Sequence, residues 1–381
     1  MVYITVMQPP MYHQMSLEEF LFQTEKTPTI LNPNLTNTRT YELREVSQHF
    51  KDKIRFSPAQ LILKLIQFNE QTEELRSRPR HELYREFHIP KKSGGLRKID
   101  APNQELMDAL RRLKTIFEED FKTLYHTSAF AYIKNRCTLD AVKRHQANES
   151  KWFGKFDLSN FFGSTTPDFV MQMFSMIYPF SEIVKVDVGK EELAKALELA
   201  FLDGGLPQGT PISPLITNVM MIPIDYKLAN ALRDFNDQRF IYTRYADDFI
   251  ISSRFDFSVR DIEKLISDTL ESFGAPFKIK AEKTRYGSNA GRNWNLGLML
   301  GKDNRITVGY RKKRQFKAML HSFVMDTLSG KQWPLEDIQT MEGYRNYYRM
   351  IEGEMIDDLV NHIGEKLNVN VVKMIKEQLS A

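Results

Sequence analysis

Hydrophobic positions repeat with two different periods along this chain, and together they predict a mixed α/β fold. Residues 87–90 and 97–100 are rich in β-formers and flank the segment Lys-Lys-Ser-Gly-Gly, which predicts a β-hairpin with a basic tip. Helical spacing follows over residues 104–124 and again over residues 138–145.

Three further β-rich runs are predicted in the middle of the chain. The apolar run over residues 153–156 ends at Asp157 and predicts a buried strand that enters a turn. Residues 241–244 and 249–253 are two more such runs, separated by a tight acidic turn. Each of these strands therefore borders at least one carboxylate.

Capping signals predict where the helices begin. They are Ser57-Pro58, Thr166-Pro167, Ser213-Pro214 and Ser258. The third helix is expected to run toward residue 232, but Pro223 inside it predicts a kink or an early end. Gly274 is expected to end the fourth, and the last 70 residues are predicted to be largely helical.

Composition limits the class of protein without deciding it. The 381 residues are 42% hydrophobic and 27% charged, as in ordinary globular proteins, and 53 Lys and Arg against 49 Asp and Glu give a net charge of +4. This balance permits a nucleic-acid partner without requiring one. Cys137 is the single cysteine, so no disulfide framework or cysteine-rich zinc site is expected. No apolar run approaches the roughly 20 residues that span a bilayer, and no signal peptide is recognised, which predicts a cytoplasmic protein without a membrane partner.

The acidic turn Tyr245-Ala246-Asp247-Asp248 carries the first candidate chemistry. Adjacent carboxylates repel each other and raise one another's pKa, a cost that a bound cation removes. Carboxylate oxygens with room for water suit Mg²⁺, and Asp157 at the end of the earlier strand would add a third ligand. Three carboxylates on two adjacent strands could hold two Mg²⁺ ions for phosphoryl chemistry. An isolated Asp-Asp pair, however, is more often a plain polar turn.

The segment Leu206-Pro207-Gln208-Gly209-Thr210-Pro211-Ile212-Ser213-Pro214 is the second element. Its glycine lets the backbone approach a ligand closely, and the helix that follows presents free N–H groups toward the loop. Gln208 would then face a nascent base pair or an incoming sugar. A plain helix-initiating loop is the alternative, but it does not account for Pro-Gln-Gly.

Taken together, these segments resemble the reverse transcriptases, specifically the bacterial branch of group II intron, retron and defence-associated enzymes. Three segments resemble the three catalytic motifs of the family in order: 156–162 (Phe-Asp-Leu-Ser-Asn-Phe-Phe), 207–214 and 245–248. Four others resemble flanking motifs: 97–102 of the fingers hairpin, 129–145 before the first catalytic strand, 282–284 of the fourth motif and 294–297 of the primer grip. They keep the family's order and plausible spacing over residues 86–300.

The resemblance implies roles for individual residues. Asp157, Asp247 and Asp248 are expected to be the catalytic ligands of two Mg²⁺ ions, with Mn²⁺ as an alternative metal. Phe162 matches the steric-gate position that excludes a ribose 2′-OH, although one of Phe161 and Phe162 is expected to be a core residue. The expected dNTP-binding residues are Arg97, Lys91, Phe162, Gln208 and Lys283. The expected nucleic-acid-binding residues are Tyr245, Trp294, Gly297, Arg311, Lys312, Lys313 and Arg314. Solvated charge runs remain the alternative for the basic hairpin tip and for residues 311–314.

The same resemblance implies a right-hand polymerase with fingers, an antiparallel-sheet palm and a helical thumb. The expected ranges are 1–80 for a mostly helical N-terminal extension of unknown role, 81–150 for the fingers, 151–300 for the palm with a fingers insertion near 165–205, and 301–381 for the thumb.

The function that follows is RNA-directed DNA polymerisation on an RNA template, with a DNA or RNA primer and dNTPs. Two features depart from the retron pattern. The His-containing motif begins with Asp140-Ala141, and the Val-Thr-Gly triplet is absent. These departures favour a stand-alone defence-type (antiviral) enzyme. A dedicated non-coding RNA or a partner protein are further candidate partners. Three alternatives stay open: an untemplated or protein-primed DNA polymerase, an RNA-dependent RNA polymerase, and a non-catalytic maturase-like RNA-binding protein.

Overall fold

Capping side chains begin three of the helices at the positions that the sequence predicts. In the computed structural model, which describes residues 57–90, 94–121, 125–235, 238–289 and 296–380, Ser57 and Gln60 form a reciprocal capping box. The side chains of Thr166 and Ser258 each accept a hydrogen bond from the backbone N–H of the third residue of the helix that follows. The helices in chain order are α1 (Pro58–Gln71), α2 (Glu73–Ser77), α3 (Gln104–Phe121), α4 (Thr138–Ala147), α5 (Pro167–Phe174), α6 (Phe180–Ile183), α7 (Asp187–Glu198), α8 (Ser213–Met220), α9 (Ile222–Arg233), α10 (Val259–Glu271), α11 (Tyr310–Leu328), α12 (Leu335–Leu367) and α13 (Val371–Ser380).

The chain divides into two compact units. The first contains the residues up to Arg136 together with Lys155–Phe249 and Ser258–Thr284. The second contains Cys137–Gly154, Ile250–Phe257 and Arg285–Ala381. In the described ranges, no helix is long and apolar enough to cross a membrane.

An antiparallel hairpin of the first unit precedes α3. Strand β1 (Tyr84–Pro90) pairs with β2 (Leu96–Pro102), with Tyr84 opposite Pro102 and Pro90 opposite Leu96. Six of the seven β1 residues are exposed. The hairpin predicted from the sequence is therefore confirmed, while its tip at residues 91–93 lies outside the described residues.

Helices of the first unit pack around an aromatic cluster. Phe117 of α3 meets Phe180 edge to face at 5.1 Å between ring centroids, and Phe174 stacks on Phe180 at 4.5 Å. All three side chains are buried, and such aromatic pairs add stability beyond that of their buried area.

A single residue, Met221, separates α8 from α9. Pro223 is in the first turn of α9, where its missing N–H costs no helical hydrogen bond. The predicted break in this helical pattern is therefore confirmed, and its cause is the position of this proline.

The strands that carry the candidate carboxylates belong to a four-stranded sheet. Its strands are β3 (Trp152–Asp157), β4 (Ile241–Tyr245), β5 (Asp248–Ser253) and β6 (Arg285–Ser288), in the order β4-β5-β3-β6. Lys151 N donates to Ser253 O at one end of the β3–β5 pair and Leu158 N donates to Asp247 O at the other, so the two strands are antiparallel. This pairing brings the end of β3 beside the turn between β4 and β5.

The second unit is mainly helical. A short antiparallel ribbon of β7 (Met299–Leu300) and β8 (Ile306–Thr307) precedes α11, and α12 packs against both α11 and α13. Helix α12 has a kink at Glu352, whose φ of −132° and ψ of 55° are not helical. The hydrophobic core of the second unit includes Leu320, Phe323, Val324, Ile338, Met341, Ile356 and Ile375.

Candidate active site

Asp247 and Asp248 lie at a two-residue turn in the first unit. The turn joins β4 to β5, and its first residue, Ala246, has a φ of 57° in the left-handed region that non-glycine residues rarely adopt. Asp157 ends β3, and the adjacent Leu158 N donates to Asp247 O at 3.1 Å. This backbone hydrogen bond places Asp157, Asp247 and Asp248 at the same end of the β3–β5 pair.

Lysine side chains pair with two of these carboxylates. Lys283 Nζ lies 2.9 Å from Asp157 Oδ1 and 3.1 Å from Oδ2, and Lys280 Nζ lies 3.7 Å from the same Oδ1. Lys155 Nζ lies 2.7 Å from Asp248 Oδ2. The acidic cluster is thus partly neutralised by side chains of its own unit.

The remaining negative charge changes the titration of the turn. Burial raises the pKa of Asp247, and the neighbouring Asp248 and Asp157 carboxylates raise it further. Burial also raises the pKa of Asp248, although Lys155 acts in the opposite direction. Both carboxylates therefore need an additional positive charge to ionise as readily as an exposed aspartate.

The donor set fits a divalent cation. Asp248 Oδ1 is buried and has no hydrogen-bond partner among the described residues, which is costly unless another group binds it. Three carboxylates with one such oxygen offer the hard ligands that Mg²⁺-like ions prefer. Within the described ranges, no group of three acidic, histidine or cysteine side chains has the geometry of a formed metal site. Two of the three carboxylates are instead paired with lysine side chains.

The loop after residue 205 lies directly against the hairpin. Asp100 N of β2 donates to Gln208 O at 2.8 Å, and Gln208 lines a cavity of about 250 Å³. Asp100, Asn160 and Gly163 line the same cavity. The segment that follows Asp157, the Gln208 loop and the hairpin strand therefore line one small open cavity.

Gly209 is required by the close approach of this loop to β2. Its φ is +126°, and a Cβ built there would lie 2.8 Å from Asp100 O. Gly209→Ala is therefore expected to displace the loop from β2, with a loss of roughly 1–3 kcal/mol in stability and a fall of about 10²-fold in kcat/KM for the nucleotide. Steady-state primer-extension kinetics and thermal melting measure both effects.

Gly204→Ala is the matched control for Gly209→Ala. Gly204 also has a positive φ, +77°, but a Cβ there would meet nothing within 4 Å. It should therefore lose stability through backbone strain and keep its kcat/KM. Equal kinetic losses in the two variants would show that the contact with Asp100 is unimportant.

The two phenylalanines after Asp157 differ in burial. Phe161 is 3% exposed and packs edge to face on Phe277 at 5.1 Å, whereas Phe162 is partly exposed. Phe162 O accepts a hydrogen bond from Leu206 N, which ties this residue to the start of the Gln208 loop. Phe161 is thus the core member of the pair.

Three other predicted residues of the first unit are on described elements. Arg97 is exposed on β2 opposite Ile89, Tyr245 is partly buried at the end of β4, and Lys283 ends a short 3₁₀ turn. Lys91 lies outside the described residues.

The basic run of the second unit divides into two pairs. Lys312 Nζ donates to Gly297 O at 2.5 Å, and Lys313 Nζ donates to Glu352 Oε1 at 2.8 Å. Arg311 and Arg314 are exposed on α11. Half of the predicted cationic run therefore makes contacts inside its own unit, and Trp294 lies outside the described residues.

Three side chains near these carboxylates were not predicted from the sequence. Lys155 could have been found, because residues two apart on a strand share a face and Lys155 precedes Asp157 by two. No local sequence pattern predicts that Lys280 would lie near Asp157. Tyr132 is 56% exposed with a φ of 58°; partial burial of its ring and then the charge of Asp247 raise its pKa, while Arg97 acts in the opposite direction.

Known proteins share this sequence pattern. Residues 89–319 match the family described as reverse transcriptase (RNA-dependent DNA polymerase). The retron Ec83 reverse transcriptase of Escherichia coli is 27% identical over 80% of this chain and 92% of its own, and the retron Ec73 enzyme of the same species is 29% identical over 77% and 88%. The retron Mx65 reverse transcriptase of Myxococcus xanthus is 25% identical over 74% of this chain and 64% of its own. A telomerase structure from Candida albicans aligns with a TM-score of 0.43 at 11% identity, over 78% of this chain and 61% of that one.

The family match covers more than half of the chain and includes all three carboxylates. Helices combined with an antiparallel sheet fit the right-hand polymerase fold of that family, whose members use divalent metal ions and copy RNA templates. The retron enzymes among the relatives agree with the bacterial branch that the motifs indicate. The chain belongs to the reverse transcriptase family and is an RNA-directed DNA polymerase.

Proposed function

We propose that this enzyme extends a DNA or RNA 3′ end along an RNA template with two Mg²⁺ ions bound by Asp157, Asp247 and Asp248. The observation that carries the proposal is the buried, unpartnered Asp248 Oδ1 beside two further carboxylates. When bound, such ions activate the attacking hydroxyl and stabilise the leaving pyrophosphate. Mn²⁺ accepts the same oxygen ligands and is the expected substitute.

Lys155 and Lys283 keep the acidic cluster ordered before nucleotide binding. Lys283 has half of its side chain exposed, 52%, so its ammonium group can turn from Asp157 toward an anionic substrate. We assign to it a contact with the triphosphate or the donation of a proton to pyrophosphate. The less exposed Lys155 stays with Asp248 and holds that carboxylate in place.

Phe162 is assigned as the residue that excludes ribonucleotides. Its partial exposure next to the Gln208 loop supports this role, because the buried Phe161 has no surface available to a substrate. An aromatic ring beneath the sugar leaves no room for a 2′-OH.

The remaining nucleotide contacts are assigned to the hairpin and the Gln208 loop. Gln208 would contact the sugar or the nascent base pair from the cavity that it lines, and Arg97 would contact the triphosphate. Lys91 of the hairpin tip is proposed for the same role.

Template and primer contacts are assigned to both units. Tyr245 beside the carboxylates and Trp294 with Gly297 are proposed to contact the primer strand. Among the cations of α11, the exposed Arg311 and Arg314 are the main phosphate ligands. Lys312 and Lys313 contribute positive charge while they remain hydrogen-bonded to Gly297 O and to Glu352.

A biological role follows from the relatives. Because retron reverse transcriptases match most of this chain, we propose a dedicated non-coding RNA as the template and an antiviral defence role. A partner protein would complete such a system. In the right-hand architecture, residues 81–150 are proposed as fingers, 151–300 as palm and 301–381 as thumb.

Metal removal tests the proposed chemistry. Primer extension on an RNA template should stop after dialysis against a chelator and return when Mg²⁺ or Mn²⁺ is added. Asp248→Asn should raise the Mg²⁺ concentration needed for half-maximal activity and lower the maximal rate. Full activity in the chelator, with metal analysis showing none bound, would overturn the two-metal proposal.

A further inference from the structure

A buried charged cluster lies directly behind the catalytic turn in the first unit. Arg244 Nε and Nη2 donate to Asp225 Oδ1 and Oδ2, each at 2.8 Å, and the Tyr242 hydroxyl donates to Asp225 Oδ1 at 2.7 Å. The side chains of Arg244 and Asp225 are 1% and 0% exposed. The predicted roles of the site residues do not use this cluster.

Arg244 also contacts the turn itself. Its Nη1 donates to Ala246 O at 3.3 Å and to Asn218 Oδ1 at 3.0 Å. Ala246 is the residue held at a φ of 57°, and a non-glycine residue in that region costs on the order of 1–3 kcal/mol unless its surroundings hold it there. The guanidinium is therefore placed to hold the conformation that precedes Asp247 and Asp248.

The same arginine connects the turn to two other segments. Asn218 of α8 donates from Nδ2 to Ala131 O at 2.7 Å. The backbone of Arg244 exchanges hydrogen bonds with residues 128–130, since Arg244 N donates to Ser128 O at 2.7 Å and Phe130 N donates to Arg244 O at 2.9 Å. Helix α8 begins just after the Gln208 loop, so one hydrogen-bond network connects that loop's helix, the segment before Tyr132 and the turn that precedes Asp247.

Stability alone is a weak reason for such a cluster. The free energy needed to desolvate two buried charges is about as large as the free energy gained from their attraction. Well-packed apolar residues in their place often give equal stability. Arginine, by contrast, offers donors in a rigid planar fork, which lysine cannot reproduce. The four hydrogen bonds donated by the Arg244 guanidinium favour a role in orientation.

We infer that Arg244, held in place by Asp225 and Asn218, is a positioning residue that fixes the Ala246 carbonyl and thereby the placement of Asp247 and Asp248. This inference rests on the proposed ligand role of those two aspartates. Arg244 touches neither substrate nor metal; it acts through the turn.

Arg244→Lys tests the inference, because lysine keeps the buried positive charge but cannot reach Asp225, Asn218 and Ala246 together. We expect kcat for primer extension to fall about 10²-fold, with the KM for dNTP changing by less than about threefold. A second readout is independent of catalysis: the rise in melting temperature on adding Mn²⁺ should be smaller than in the wild type at the same ion concentration. If Arg244→Lys does not fold, Asn218→Ala replaces it in the test. Of the Arg244 hydrogen bonds, this variant removes only the one to Asn218, so it should give smaller decreases in kcat and in the Mn²⁺-induced rise in melting temperature.

Asn69→Ala is the control for simple destabilisation. Asn69 is 4% exposed and donates to Glu192 O at 2.8 Å and to Glu192 Oε2 at 2.6 Å. Asn69 is on α1 and Glu192 is on α7, and neither residue belongs to the Arg244 cluster. Asn69→Ala should lower the melting temperature and leave kcat and the Mn²⁺-induced rise unchanged. Arg244→Lys behaving like Asn69→Ala in both readouts would overturn the inference. Activity lost in Asp247→Asn but retained in Arg244→Lys would remove only this inference, whereas activity retained in Asp247→Asn would remove the proposed function.

Discussion

Asp247→Asn is expected to abolish DNA synthesis and, in the absence of divalent ions, to raise the melting temperature of the protein. The carboxylate is proposed as a metal ligand, so its loss should lower kcat on the order of 10³-fold, equivalent to about 4 kcal/mol in the activation barrier. The same carboxylate is destabilising without metal, because burial and the charges of Asp248 and Asp157 disfavour its ionised form.

The sign of the stability effect follows from linkage. The pKa of Asp247 is raised in the folded state, so the folded state binds this proton more tightly than the unfolded state does. The ionised group therefore costs stability at neutral pH, and the cost disappears as pH falls through the raised pKa. Asparagine removes that charge, and a gain of roughly 2 °C is expected near pH 7 in a chelator.

Thermal melting in chelator and in Mg²⁺ measures this effect directly. Asp268→Asn is the matched control, since Asp268 is an exposed residue of α10 and should change neither activity nor melting. The wild type should gain stability from Mg²⁺ and Asp247→Asn should gain little. A melting temperature that falls in the variant under chelator would contradict the electrostatic account of the turn.

Phe162→Ala is expected to admit ribonucleotides. Removing the ring opens the space that a 2′-OH would occupy, so the preference for dNTP over NTP in kcat/KM should fall about 10²-fold, equivalent to roughly 2.7 kcal/mol. Discrimination is measured by competing matched dNTP and NTP on one RNA template with a DNA primer. The activity with dNTP should change far less than the activity with NTP.

Phe161→Leu provides the comparison for Phe162→Ala. Phe161 packs on Phe162 at 5.6 Å and on Phe277, so the substitution disturbs the core beside the same site. It is expected to destabilise the protein without admitting NTP. If Phe161→Leu relaxes sugar discrimination as much as Phe162→Ala, Phe162 is not the residue that excludes the 2′-OH.

The elements that the sequence predicted well are those with local causes. Ser57 begins α1 with its capping box, and Pro223 is in the first turn of α9 because a proline in the interior of one continuous helix would remove a hydrogen bond. The hairpin turn at residues 245–248 follows from two β-rich runs and the few residues between them. Neighbours along the chain determine all three features.

The contacts that escaped prediction join residues far apart in the sequence. Lys283 lies 126 residues from Asp157, and no local pattern shows that its ammonium group would pair with that carboxylate. Asp225 and Arg244 are ordinary charged residues until tertiary packing buries them together. Lys313 looked like one of four surface cations, but the kink at Glu352 brings a carboxylate to it. Pairing of this kind depends on packing rather than on periodicity.

Incorporation of labelled dNTP by the purified protein tests directly whether it copies RNA into DNA with Asp247 and Asp248. The reaction contains Mg²⁺ and a DNA primer, with or without an annealed RNA template, and Asp247→Ala/Asp248→Ala serves as the inactive comparison. We expect extension that requires the RNA template, follows its sequence and is absent in the double variant. Extension of equal rate and random sequence without the template, or extension that survives in the double variant, would contradict it.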